Sequence, residues 1–529
     1  MDWDTSRSSR TPVHTARTIL IRPASERRGL NEMVAGEVED TTASVSAEHA
    51  TTRVIDRLSP RTSQVLTVLG FALPAIAYFG AIAHWSTNVI VGDQLSDVAV
   101  IKASHSHLIP WGDLWAQWNN DRLFFPRLIA IALARTISFN IQTEEYLSAL
   151  MLMAATALLI GTHRRRSPST PWLYYCPVAL LMLSLVQFQS TLWGFQLCWY
   201  LVLLCFGAAV FLLDRPDLGL VAMSVAVLFG IIGSFSSSEG LMIWPAGLLL
   251  LFMRRRSARL LWIWIAVACV TVAAYFYRFN FNEAAPNHGY VLHHPLGAIE
   301  FLIFAIGDVV GISVKPGSGS ASVLIFGSIV LLVALAVLAI YAPRRSTNGG
   351  APVGVTVIAF GLLFVLTITV GRSTLGYWGA SQSRYTTFDL LVLVGIYMTL
   401  LERPDRTPSQ ALPMSSDGAV LTESDLPMAS ASSTAPLVGR TLPILRWIAA
   451  VLVIGQVFLG LQNGIHGARE TRQSQENAAR VLQHLDGSSP AFVRYFVAPW
   501  LPTSYVYEQS RTAEELQLSL FSDHRRNTK

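Results

Sequence analysis

The sequence predicts an all-α polytopic membrane protein, and three observations carry that prediction. Of its 529 residues, 52% are hydrophobic and only 14% charged, with a mean hydropathy of +0.43. A soluble globular chain of this length carries more charge and fewer long apolar runs. Many windows reach the roughly 18 apolar residues that read as a bilayer-crossing helix. The positive charge is nearly all arginine (lysine occurs only at Lys102, Lys315 and Lys529) and sits in short loops. Loops of that kind belong on the cytoplasmic side of a membrane, so the net charge of +5 needs no nucleic-acid partner to explain it.

Residues 1–62 are polar, rich in Arg, Ser and Thr, and lack the apolar core of a signal peptide; they read as a disordered cytoplasmic tail. The arginine loops then set the topology: "HRRR" at 163–166, "DRPD" at 214–217, "RRRSAR" at 254–259, "PRR" at 343–345 and "ERPDR" at 402–406. Two apolar segments, 123–139 and 296–313, are short and carry charge: Arg127 and Arg135 in the first, Glu300 and Asp308 in the second. If both lie in the outer interface, every arginine loop falls inside. About eleven spans remain, near 63–86, 144–162, 172–190, 195–213, 218–236, 239–253, 259–277, 322–341, 353–371, 387–402 and 443–463.

On this reading the N-terminus is cytoplasmic and the C-terminus extracytoplasmic. Outer loops cover 87–143, 278–321 and 372–386, and the segment 464–529 forms one or two helices that cap the outer face. The Ser/Ala/Pro-rich insertion at 403–442 reads as a disordered cytoplasmic linker. No internal repeat suggests an inverted-repeat transporter.

The four cysteines all lie in apolar segments and read as small buried hydrophobes. Nearly every other residue capable of chemistry falls on the outer face. The first loop holds Asp93, Asp97, His105, His107, Asp121 and Arg122; the second holds Arg278, Glu283, His288, His293 and His294; the third holds Arg372, Arg384 and Tyr385. "HSH" at 105–107 and "HH" at 293–294 lack the spacing of a helical metal site and have no cysteine beside them, so no metal ligand is assigned. No Walker, G-x-S-x-G or kinase-like pattern is present. Glu239, in "SFSSSEG" at 234–240, is costly at membrane depth unless it lines a polar space.

The first loop, "DQLSD" followed by "WGDLWAQWNNDRLFFPRLI", resembles bacterial polytopic proteins related to glycosyltransferases of the GT-C superfamily. Further similar stretches are "GLMIWPAGLLLL" at 240–251, "SRYTTFDLL" at 383–391 and "YEQSRTAEELQLSLF" at 507–521. The resemblance spans about residues 63–529 outside the insertion. It implies a GT-C-like bundle in a bacterial plasma membrane, with interfacial helices in the first outer loop. It also implies transfer of a sugar from a polyprenyl-phosphate donor to a cell-envelope glycan or lipid acceptor, with a divalent cation as the one cofactor to consider.

Asp93 matches the early acidic position and becomes the candidate general base, with Asp97 one helical turn on to share the work or hold the ion. Arg122 matches the arginine of the second motif, although Asp121 stands where similar proteins often have histidine. Arg384 is the candidate phosphate ligand; Tyr385, Glu239 and His293 complete the substrate-binding set. Two other classes stay open: a transporter or flippase for a lipid-linked or small substrate, and a non-catalytic protein of the same architecture.

Overall fold

A computed structural model describes residues 59–106, 110–281, 289–344, 348–401 and 435–522. The expected tail over 1–58 and most of the expected linker lie outside them, as do His107, Glu283 and His288. The described chain is almost wholly helical. Its one sheet among these residues is a two-stranded hairpin, β1 (Gln117–Trp118) paired antiparallel with β2 (Asp121–Arg122).

Nine helices are long and apolar enough to cross a membrane, among the described residues. They are Pro60–Trp85, Ile141–Arg166, Trp172–Thr191, Gly194–Leu213, Ala258–Phe276, Ala321–Tyr341, Ala351–Ala380, Ser383–Leu401 and Leu442–Gln483. The other two expected spans are also apolar helices, but shorter: Leu220–Ser234 and Ser238–Met253. The two segments expected to lie flat are helices of 14 and 13 residues, Phe124–Ile137 and Pro295–Gly307. At 1.5 Å per residue each reaches only about 20 Å, short of a bilayer core.

Four elements position the site. Helix α1 (Pro60–Trp85) leads through an extended stretch into a 3₁₀ turn at Gly92–Gln94 and then α2 (Leu95–Ser106). Helix α3 (Phe124–Ile137) follows the hairpin, and α4 (Ile141–Arg166) starts beside it, capped by Asn140 accepting from the Thr143 amide at 3.0 Å. The span Trp172–Thr191 is broken: its first helix ends at Met182, and a 3₁₀ turn, Leu185–Gln187, intervenes before Phe188. Gln187 Nε2 donates to the freed Met182 carbonyl at 2.7 Å, which is what lets the interruption persist away from water.

The core lies between α5 (Leu197–Leu213), α6 (Ala351–Arg372) and α7 (Ser383–Leu401). Phe206 stacks on Phe360 at 3.9 Å between ring centres, and Phe364 on Phe388 at 4.0 Å. At the end of the bundle that carries the arginine loops, Asp214 is fully buried among Arg254 (2.5 Å), Arg166 (2.8 Å) and Arg165 (3.6 Å).

The C-terminal segment departs from expectation in one respect. The last span does not end near 463: a single helix, α8, runs 49 residues from Ala435 to Gln483. Its polar half carries the i, i+4 pair Arg472–Glu476 at 2.6 Å, so the helix continues past the apolar stretch without a stop signal. Beyond it, α9 (Pro490–Val497) and α10 (Thr503–Glu515) pack on the 89–101 stretch. They form a core of Val89, Leu95, Val98, Ile101, Val493, Val506 and neighbours, separate from the bundle core.

Candidate functional site

Asp93 stands at the entrance of the Gly92–Gln94 turn, half-buried, beside Gly92 at φ +64°. A side chain at Gly92 would be strained by that backbone and would meet the indoles of Trp193 and Trp500, 2.9 and 2.8 Å from an added Cβ. Glycine here allows two tryptophans from remote segments to close on the base of Asp93. Trp193 Nε1 donates to the Val91 carbonyl at 3.0 Å, and Trp500 Nε1 donates to Asp93 Oδ1 at 3.2 Å. The tryptophan from the C-terminal segment is therefore part of the carboxylate's own environment.

Asp97 lies one turn further, in the first turn of α2, and is 5% exposed. Burial is the first cause that raises its pKa to about 7; Arg127 opposes the shift and Asp93 adds to it. Arg127 does not pair directly. Its Nη1 donates to the carbonyls of Asp113 (2.8 Å) and Ala116 (2.5 Å), so it acts on Asp97 as a nearby charge. Behind this pair, Gln94 Nε2 donates to Glu144 Oε2 at 2.6 Å, and the two side chains fill the space a Cβ on Gly194 would need.

A second acidic group is built on the hairpin. Asp121 Oδ1 accepts from the Ser238 amide at 2.8 Å and the Ser237 hydroxyl at 3.0 Å. Glu239 Oε2 also lies against the Ser237 hydroxyl, and Trp199 Nε1 donates to the same oxygen at 3.1 Å. One hydroxyl proton cannot serve two carboxylates. The set is complete only when one of the two carboxyls carries a proton and donates to Ser237. Burial pushes Asp121 above the usual carboxylate range, with the Ser238 and Ser237 hydrogen bonds working against the shift.

Five of the seven residues singled out in the sequence belong to one connected wall. From Glu239 the contacts run through Ser237 to Trp199. The Trp199 ring packs on Tyr385 at 5.8 Å, the Arg384 guanidinium lies over Tyr385 at 5.2 Å and over Trp193 at 6.0 Å, and Trp193 adjoins Asp93. Asp97 lies one turn beyond Asp93 and feels that carboxylate's charge.

Arg122 and His293 are placed otherwise. Arg122 is 3% exposed and spends its fork on backbone carbonyls of Trp115 (2.6 Å), Tyr277 (2.7 Å) and Tyr275 (3.2 Å), stapling the hairpin to the end of Ala258–Phe276. His293 is exposed, with Nδ1 against its own Gly289 carbonyl at 2.7 Å. Among the described residues no three His, Cys, Asp or Glu side chains converge as metal ligands.

Sequence reasoning did not single out Trp193, Trp500, Arg127, Glu144 or Ser237. Aromatic and polar residues at helix ends read as interfacial anchors and caps, and only the fold brings 93, 193, 384 and 500 together. No family model matches this chain, and no curated protein matches it.

Proposed function

We propose that this chain is a membrane glycosyltransferase of the GT-C type, moving a sugar from a polyprenyl-phosphate donor to an acceptor hydroxyl. The observation that carries the reading is the convergence of Asp93, Asp97, Arg384 and Tyr385 beside the Trp193–Trp500 indole pair. In this reading the acceptor oxygen attacks C1 of the sugar and gives its proton to Asp93. The C1–O bond to phosphate breaks with its electron pair, and polyprenyl phosphate departs held by Arg384. Asp97, titrating near 7, shares the proton traffic beside Asp93, and the two indoles flank the sugar ring with apolar faces. The arginine loops belong on the cytoplasmic side of a bacterial plasma membrane, which puts this wall and the C-terminal segment on the extracytoplasmic face. Partners are then the bilayer, the lipid-linked sugar and an envelope glycan or lipid.

The test is transfer by purified protein from a panel of polyprenyl-phosphate sugars, comparing wild type with Asp93→Asn and Asp97→Asn. Loss in Asp93→Asn with retained folding supports the assignment; full turnover in both variants overturns it. A transporter or flippase is the second reading. It draws on the unpartnered carboxylates of Glu145 and Asp389 within long apolar helices and on the broken Trp172–Thr191 span. That reading gains if reconstituted protein moves a lipid-linked sugar across vesicles and forms no new glycosidic bond.

A further inference from the structure

Away from the wall described above, two aspartates are buried on elements that pack together inside the helical body. Asp389 lies in α7, less than two turns past Arg384, and is 1% exposed; neither of its oxygens has a hydrogen-bond partner. Asp308 follows the Pro295–Gly307 helix in a 3₁₀ turn, Asp308–Val310, and is equally buried. Its Oδ1 is also without a partner, while the carboxyl accepts from the Ile312 amide. The turn packs against α7, and Asp389 is close enough for its charge to act on Asp308.

A third group points to an occupant. Gln456, fully buried on α8, donates Nε2 to Ser184 Oγ (3.1 Å) and to the Val309 carbonyl (3.2 Å), one residue from Asp308. Those two bonds hold the amide against the Asp308 turn, yet its Oε1 has no partner. The surroundings are two departures from regular helix: the break at Ser184, and the turn at 308–310 closed by Gly311 at φ +74°. Interrupted helices lining a polar pocket are a recurrent way of holding small cations inside membrane proteins. Neither aspartate forms an ion pair among the described residues. Among the described residues, the elements packed against them offer the neutral Ser184 and Gln456, and the one charge that acts on Asp308 is that of Asp389.

Two ionised carboxylates without a counter-charge are not sustainable in such surroundings, where burying even one costs several kcal/mol. We infer that Asp308 and Asp389, with Gln456 Oε1, form a buried site for a monovalent cation, whose resident in sodium-free solution is a proton on one of the two carboxyl groups. The inference is independent of sugar transfer, because no residue of the Asp93 wall takes part in it.

The experiment uses purified full-length protein and dicyclohexylcarbodiimide, an apolar reagent that attacks protonated carboxyls in lipid-like surroundings. Residue-resolved mass spectrometry is expected to find the adduct on Asp389 or Asp308 at pH 6, falling at least fivefold by pH 9. Asp389→Asn, a neutral isostere, is expected to fold as wild type and to abolish at least half of the labelling of the pair. Protection by sodium chloride and not by choline chloride adds sodium to the occupants and supports the site. Absence of adduct from both aspartates at pH 6, in protein whose thermal unfolding is cooperative, overturns the proposal. So does labelling of both that is unchanged across pH, since a carboxyl that does not exchange its proton holds no exchangeable cation. Neither readout depends on transferase activity, so its failure leaves the reading of Asp93 standing.

Discussion

Buried acids are treated in opposite ways at the two ends of the bundle. At the arginine end Asp214 is fully buried and surrounded by three guanidinium groups, two of them at 2.5 and 2.8 Å, with Arg254 itself only 3% exposed. At the other end Asp121 and Glu239 are held by the Ser238 amide and the Ser237 hydroxyl, Asp97 is simply buried, and among the described residues none of the three joins an ion pair. The first arrangement satisfies charge completely and leaves nothing to exchange. The second leaves acids protonated or half-satisfied, which costs stability and keeps protons movable near neutral pH. Paired acids hold this fold together, and unpaired ones are where chemistry is to be sought.

Several substitutions can break or sharpen that contrast. The largest effect is expected at Asp93, where removing a general base costs on the order of 10²–10⁴ in rate. Asp93→Asn should lower turnover in the transfer assay by at least a hundredfold with an unchanged melting temperature. A parallel drop in thermal stability would make Asp93 a structural acid instead. Next is Asp214→Asn, which strands buried guanidinium charge and should destabilise the protein by about 3–5 kcal/mol, read as an early thermal or denaturant transition in detergent.

Asp97→Asn should act in the other direction, and only above a certain pH. The native carboxyl titrates near 7 against 3.8 in the unfolded chain. The native state thus holds its proton longer, and stability falls as pH rises from about 4 to about 7. With 1.36 kcal/mol per unit, the full penalty is at most about 4 kcal/mol. The variant should therefore match wild type at or below about pH 4 and exceed it in thermal stability at pH 8. Equal stability at both pH values would show that Asp97 is better solvated than its burial implies. The smallest effect is expected at Arg122→Lys, where a point charge replaces a fork on three carbonyls. A loss of about 1–2 kcal/mol, with KM for the lipid-linked donor unchanged, fits a staple. A rise in KM with stability intact would return Arg122 to the substrate.

Much of the architecture was legible in the chain because it depends on local quantities. Apolar runs of bilayer length, arginine clusters between them and the charged shortness of 123–139 and 296–313 need no tertiary information, and each expected span coincides with an apolar helix. The break inside Trp172–Thr191 was not legible. Its hydropathy is that of a continuous span, and the carbonyls it frees are satisfied by Gln187 and the helices around it. The continuity of α8 from the apolar span to Gln483 was likewise hidden, since the apolar run stops near 463 and the helices expected beyond it read as separate.

For the site, the sequence by itself determined which residue types were available and that they crowd toward one set of loops. That put Asp93, Asp97, Glu239, Arg384 and Tyr385 among the candidates. Only the tertiary structure decided that Trp500, some four hundred residues away, donates to Asp93. It alone turned the Arg122 fork onto carbonyls and set Asp308 against Asp389. The physical reason is the same in each case. A carboxylate's role depends on which donors and charges surround it after burial, and those arrive from segments whose spacing in the chain says nothing about their distance in space.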